Sequence, residues 1–227
     1  MEILQTVEFW VNLFEIIWIN IVLSGDNAVV IALAARALPP QQQKIAIALG
    51  SGTAVVLRIA LTIVAAKLLA VPYLQILGGL LLLWIGAQLL SDEDSGTGKH
   101  REHGTLLAAV RTILMADLVM SLDNVIAVAA AAKGSTLLLM LGLAVSIPLV
   151  VFGSTVMIRL MERFPFIVVF GAGLIGWVAG ETIVGDVRLA AVVGANPWLH
   201  YAAAAVSAVL VVTAGKLLAA RTGASAA

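Results

Sequence analysis

Seven stretches of this chain are apolar over about twenty residues each, the length that crosses a bilayer as a helix, and they leave it almost no other way to fold. They lie at 9–35, 44–67, 72–90, 105–132, 136–160, 165–184 and 199–220. A segment in lipid must pair its backbone N–H and C=O groups internally, because no water is present to do so, and an open strand cannot. The expected class is therefore an all-α integral membrane protein with seven transmembrane helices. Composition agrees: 62% of the 227 residues are hydrophobic and 11% are charged, against about 45–50% and about 25% in soluble domains. The net charge is zero, which removes a global electrostatic case for nucleic acid. With no cysteine, neither a disulfide framework nor a thiolate metal site is available. The first ten residues contain no Lys or Arg, so a cleaved signal peptide, which needs a basic start, is not expected.

Basic residues orient the spans, since cytoplasmic connections collect Lys and Arg. With the N-terminus outside, the inner side holds Arg36, Lys44, Lys99, Arg101, Arg111, Arg159, Arg163, Lys216 and Arg221. The outer side holds Lys67, Lys133 and Arg188. The expected topology is N-out and C-in.

The sequence also repeats itself. Asn20-Ile-Val-Leu-Ser24-Gly-Asp26-Asn27 matches Asp117-Leu-Val-Met-Ser121-Leu-Asp123-Asn124, 97 residues later. Pro72, Gly78 and Trp84 match Pro165, Gly171 and Trp177, 93 residues later. Each copy contains three spans, an odd number, so the second enters the membrane from the opposite side. The resulting expectation is one transmembrane domain, 1–227, built as two inverted three-helix repeats (9–90 and 105–184) plus a seventh helix at 199–220. A polar connection at 91–104 joins the repeats. Transporters built this way bind substrate near the midplane, where the repeats meet.

The repeated motif puts acid inside the membrane. Asp26 and Asp123 lie near the middle of spans one and four, and Asp117 lies six residues before Asp123. An acidic residue at a helix centre costs about 2.5–3.5 kcal/mol on insertion scales. Three together would cost about 8–10 kcal/mol, comparable with the whole net stability of a fold at about 5–15 kcal/mol, so each demands compensation and a functional reading. At 100° per residue, Asn20, Ser24 and Asn27 share a face about 60° wide, as do Asp117, Ser121 and Asn124. Asp26 and Asp123 fall about 100° away from those faces. Local unwinding would bring them back; Gly25 favours it in the first copy, whereas Leu122 occupies that place in the second. Carboxylate, amide, hydroxyl and carbonyl oxygens suit hard cations such as Mg, Ca or Mn. Arg58, in the middle of span two, would reduce the charge of three aspartates to −2, which a divalent cation would cancel.

Other polar residues have blander readings. Glu15, Glu181 and Asp186 read as interfacial, and His100, Glu102 and His103 as a solvated cluster. Ser24 and Ser121 are divided between ligand and local backbone bonding. Gly50-Ser51-Gly52 and Pro148 read as packing and kink devices, and Met115 and Met120 as core.

Ser24-Gly25-Asp26-Asn27-Ala28-Val29-Val30 and Asp117-Leu118-Val119-Met120-Ser121-Leu122-Asp123-Asn124, on seven spans, resemble the TerC family of bacterial membrane proteins, most nearly its short, YjbE-like branch. The resemblance covers essentially the whole chain. It implies efflux of divalent metal, chiefly Mn2+, across the cytoplasmic membrane by a member of the LysE-like exporter superfamily. Carried over by motif, the metal-contacting set is Asp26, Asn27, Asp117, Asp123 and Asn124, joined by Asn20. Many relatives hold Glu at that last place, so this chain has one carboxylate fewer. The direction of transport comes from the resemblance alone. The partners implied are the divalent ion, protons and the lipid bilayer; a homo-oligomer is left open, and neither an enzyme activity nor a resident cofactor is expected. Crowded carboxylates raise one another's proton affinity, so proton antiport is the expected coupling, with Asp117 as carrier because Asn20 replaces it in the first repeat. The alternatives are LysE-like efflux of a small organic cation or amino acid, and a membrane scaffold that transports nothing; an intramembrane hydrolase has the least support.

Overall fold

The computed structural model describes residues 7–94, 105–132 and 135–224, and among these the secondary structure is helical. The first expected span is two helices, α1 (Val7–Leu23) and α2 (Gly25–Ala35). They are followed by α3 (Pro40–Leu69), α4 (Leu74–Asp94), α5 (Leu106–Ala131), α6 (Thr136–Arg163) and α7 (Phe166–Val184). A short helix, α8 (Ala190–Ala195), which the hydrophobic pattern did not single out, precedes α9 (Trp198–Ala224). The connection expected from residue 91 begins later, because α4 continues through Asp94. His100, Glu102, His103, Lys99, Arg101 and Lys133 lie outside the described residues.

Helix starts follow local chemistry. The Thr105 hydroxyl accepts from the Ala108 amide at 3.2 Å, and Ser135 accepts from Leu138 at 3.3 Å, each satisfying an amide with no intrahelical partner. Pro40 occupies the first turn of α3, where its missing N–H costs nothing.

Five helices (α3, α4, α6, α7 and α9) are each long and apolar enough to cross a membrane, and α1 with α2, bent by 48° at their break, makes a sixth. The protein is an integral, multi-pass membrane protein with five to six such spans among the described residues. The 26-residue α5 carries Arg111, Asp117 and Asp123 and is not among them. Burial is inverted relative to a water-soluble fold: Phe152 and Phe170 are each 70% exposed and Trp84 63%, while Ser51, Arg58, Asp117 and Ser121 are buried. An apolar exterior of this extent needs lipid against it.

Two packing groups frame the interior. Helices α4, α7 and α9 pack on one another, and their backbones meet at glycines. A Cβ on Gly180 would stand 2.5 Å from the Ala203 carbonyl oxygen, and one on Gly176 would stand 2.7 Å from the Ala208 Cα. Small residues permit this close approach where lipid offers helices no hydrophobic drive to associate. The second group is α1, α2, α3, α5 and α6. A core containing Val29, Leu33, Leu82, Val119, Ile175 and Val211 joins the groups, and Phe9, Ile16, Val128, Leu139 and Leu143 form a smaller core between α1, α5 and α6.

At the end of this frame Asp186 lies just past the last residue of α7, Val184. Asp186, read as interfacial, is fully buried, because the start of α4 offers amides with no intrahelical partners. Burial pushes its carboxyl upward, but the amides of Arg188, Tyr73, Ile76 and Gln75 outweigh this and hold it below the ordinary value of 3.8. The Arg188 guanidinium lies 5.5 Å from the centre of the Tyr73 ring, and Tyr73 itself adopts a left-handed φ of 68°.

Candidate functional site

Arg58 projects from α3 into the interior and is 4% exposed. A guanidinium has five N–H donors and cannot shed its charge, so its burial depends on what surrounds it. Its Nη2 donates to Asp117 Oδ1 at 2.7 Å, and the two groups form an ion pair. Its Nη1 donates to Asn20 Oδ1 at 2.6 Å and to Ser24 Oγ at 3.3 Å, and its Nε to Ser121 Oγ at 3.0 Å. Ser121 donates in turn to Asp117 Oδ2 at 3.0 Å. Asp117 and Ser121 can act together because residues four apart share a helix face.

The four residues around Arg58 are two repeat-matched pairs. Asn20 corresponds to Asp117 and Ser24 to Ser121, each 97 residues apart. One arginine therefore engages both copies of the motif at the same two places.

The first copy is broken as expected, at Ser24 (φ −103°, ψ 4°); the second is not, and α5 runs continuously from Leu106 to Ala131. The break leaves α1 carbonyls without helical donors, and Asn124 Nδ2 reaches across from α5 to Leu23 O at 3.3 Å. Asp26 stands in the first turn of α2, at the positive end of that helix dipole, and its Oδ1 accepts from the Asn27 amide at 2.8 Å.

Beside Arg58 is a cavity of about 20 Å³ whose walls include Asn20, Ser24, Asn27, Ser51, Asp117 and Ser146. That is room for one water-sized species, which needs about 10–15 Å³. Asn27 is 3% exposed, and neither its Oδ1 nor its Nδ2 has a hydrogen-bond partner; the Ser51 hydroxyl is also buried and unpartnered.

Of the residues expected from sequence, Asn20, Asn27, Arg58 and Asp117 meet at this cavity. Asp26 and Asn124 flank the helix break and are not among its walls. Asp123 lies on α5, with its side chain outside the described residues. Among the described residues, no three His, Asp or Glu side chains converge as a metal-holding group. The oxygens at the cavity are mostly neutral, with one carboxylate already matched by one guanidinium. Sequence reasoning missed Ser51 and Ser146. The packing reading of Gly50-Ser51-Gly52 holds for Gly50, whose Cβ would lie 2.9 Å from the Ile113 side chain. The overlooked signal was that Ser51 lies seven residues, about two turns, before Arg58 on the same face of α3.

Residues 5–223 match the family model described as the integral membrane protein TerC family. The membrane protein YjbE of Bacillus subtilis is 45% identical over 183 residues, covering 80% of this chain and 83% of that protein. The inner membrane protein YoaE of Escherichia coli is 27% identical over 190 residues, covering 74% of this chain but 36% of that longer protein. The membrane protein YkoY of Bacillus subtilis is 24% identical over 188 residues, covering 74% of this chain and 58% of that one. No solved structure matches the chain. With nearly its whole length matched by the family model and a relative of the same extent at 45% identity, the chain belongs to the TerC family of integral membrane proteins.

Proposed function

We propose that the protein is a transporter of divalent metal cations, manganese foremost, in the cytoplasmic membrane. The observation that carries this reading is the cavity beside Asp117, where Asn20, Ser24, Asn27, Ser51 and Ser146 bring oxygen donors to a space of single-ion size whose remaining walls are largely apolar. Leaving a buried polar group unpaired costs about 1–3 kcal/mol. The paired orphans Asn27 and Ser51 are thus poorly suited to a purely structural interior and well suited to an exchangeable occupant. A water-sized species fits this space, whereas an amino acid or organic cation, the LysE-like alternative, is larger. A scaffold could use the Arg58–Asp117 ion pair for stability alone, but it gains nothing from the unpartnered Asn27 and Ser51 beside it.

In the arrangement proposed, α5 is a further span, making seven, and the two three-helix repeats face each other in inverted orientation. The convergence of matched pairs on Arg58 supports this. The termini lie N-out and C-in, and transport runs outward, the direction the family resemblance suggests. Asp26, Asp117, Asp123, Asn27, Asn124 and Asn20 supply or orient the ligands during the transport cycle, with Ser51 and Ser146 added from the cavity wall.

The test is a titration of purified protein with Mn2+, Mg2+, Ca2+, Zn2+ and Fe2+, followed by flux into proteoliposomes. Mn2+ should bind and move, and Asp117→Asn should lose both. A protein that neither binds nor moves any of the five ions would sink the proposal. The chain lacks cysteine, so single cysteines at 36 and 163 should react only with reagent on the inner face; outer labelling would overturn the orientation.

A further inference from the structure

We infer that Arg58 is a built-in substitute for the transported cation: its guanidinium occupies Asp117 while the carrier is empty and withdraws when a divalent ion arrives. This rests on the proposed transport of divalent cations and concerns how the empty carrier completes its cycle.

The geometry points to it in three ways. First, Arg58 and an incoming cation compete for the same carboxylate, since the Nη2–Oδ1 distance is 2.7 Å and Asp117 also forms part of the cavity wall. Second, Arg58 has somewhere to remain. Its other acceptors, Asn20, Ser24 and Ser121, are neutral oxygens that keep the guanidinium hydrogen-bonded once Asp117 is taken. Third, the cavity offers the cation neutral oxygens that Arg58 does not use: Asn27 and Ser51 are buried without partners. Two ligand sets therefore meet at one carboxylate, one engaged by the arginine and the other with no protein partner.

The consequence is a charge argument. An unpaired carboxylate in the membrane interior opposes reorientation of the empty carrier, because the charge must stay desolvated throughout the movement. With Arg58 on Asp117, that pair is neutral. The geometry thus gives Asp117 a different neutralising partner from the proton suggested by the charge count alone. Asn20 and Ser24 sit at the end of α1 and at its break, so a change in Arg58's bonding is felt directly where the first span bends.

The experiment separates exchange from net transport in proteoliposomes, using Mn2+ as the probe. Exchange, in which Mn2+ outside swaps with Mn2+ inside, needs only the loaded carrier to reorient; net flux needs the empty one as well. Arg58→Gln should bind Mn2+ about tenfold more tightly or better, because a competing positive charge is removed. It should also keep exchange while net flux falls by about tenfold or more, because Asp117 is left uncompensated in the empty carrier. Arg58→Lys, which keeps the charge, should retain the wild-type ratio of net flux to exchange. The inference is overturned if Arg58→Gln loses exchange and net flux alike, if it keeps both, or if it binds Mn2+ more weakly. If the glutamine variant does not fold, loss of net flux with retained exchange in Arg58→Lys overturns the inference, and an unchanged ratio upholds it. A wild-type protein without Mn2+ binding or exchange would refute the transport reading itself, a separate outcome.

Discussion

Removing Asp117 while leaving Arg58 in place should be one of the most damaging single changes to this protein's stability. Arg58 and Asp117 are 4% and 5% exposed, and their closest atoms are 2.7 Å apart. At an effective dielectric of about 20, the gross attraction at this distance is about 6 kcal/mol. Desolvation of both groups offsets much of it, and deleting one partner of a buried pair costs about 3–5 kcal/mol, since the other charge stays buried. Asp117→Leu should therefore lower the folding equilibrium constant by about 10²- to several thousand-fold, at 1.36 kcal/mol per factor of ten. Arg58→Leu should be destabilising for the same reason, with Asp117 and Ser121 left behind. The double variant removes both charges and should recover to within about 1–2 kcal/mol of wild type, because apolar replacement of a whole buried pair is often nearly neutral. Reversible unfolding of the full chain in mixed micelles measures the cycle. Single costs that add in the double variant, with a coupling below about 0.5 kcal/mol, would falsify the claim that these residues compensate each other.

Three further outcomes follow from particular contacts. Ser51→Ala removes a buried hydroxyl with no partner, so it should leave thermal stability unchanged or slightly raised while weakening Mn2+ binding; a clear loss of stability would show that the hydroxyl is structurally bonded. Gly180→Leu should disrupt the α7–α9 contact, where even a Cβ would stand 2.5 Å from the Ala203 carbonyl, costing at least the about 1–3 kcal/mol typical of overpacking; an unaltered melting temperature would refute that contact. Asp186 has a folded-state carboxyl held below its ordinary 3.8, so its stabilisation is fully present above that value and is lost as pH falls through the lower folded value. The melting difference between wild type and Asp186→Ala should thus be constant near neutral pH and shrink below about pH 4; a difference that grows on acidification would contradict it.

The fold was largely legible because lipid removes most alternatives. Backbone pairing forces helix, and the apolar runs were long enough that all seven coincide with helices. The break in the first span could be read from Gly25 within a polar motif, and the continuity of α5 agrees with Leu122 at the equivalent place. What remained hidden depends on shape. The six-residue α8 is too short to carry a hydrophobic period, and Asp186 reads as an interfacial acid until its chain is seen folded against the start of α4. Ser51 lay in a glycine pair whose packing role is real for Gly50, and nothing in its local sequence reveals that it lines the cavity beside Arg58.

The repeat explains why the charge count and the geometry diverge. Counting Asp26, Asp117, Asp123 and Arg58 treats them as one pool, and leaves −2. The structure instead sets Arg58 among matched positions of the two motif copies. Arg58 binds the two positions that begin the motif, Asn20 and Asp117, and the two serines four residues on, Ser24 and Ser121. Its counterparts on α6, by offsets of 97 and 93, are Thr155 and Val151, neither of them charged, so a single cation serves both copies. An acid at both opening positions would leave that shared arginine one charge short; with Asn20 in the first copy and Asp117 in the second, its positive charge is met once. The asymmetry of the motif and the solitary arginine are thus a matched pair of features. Neither is intelligible from one copy of the motif alone, since the charge that balances Asp117 on α5 is carried by Arg58 on α3.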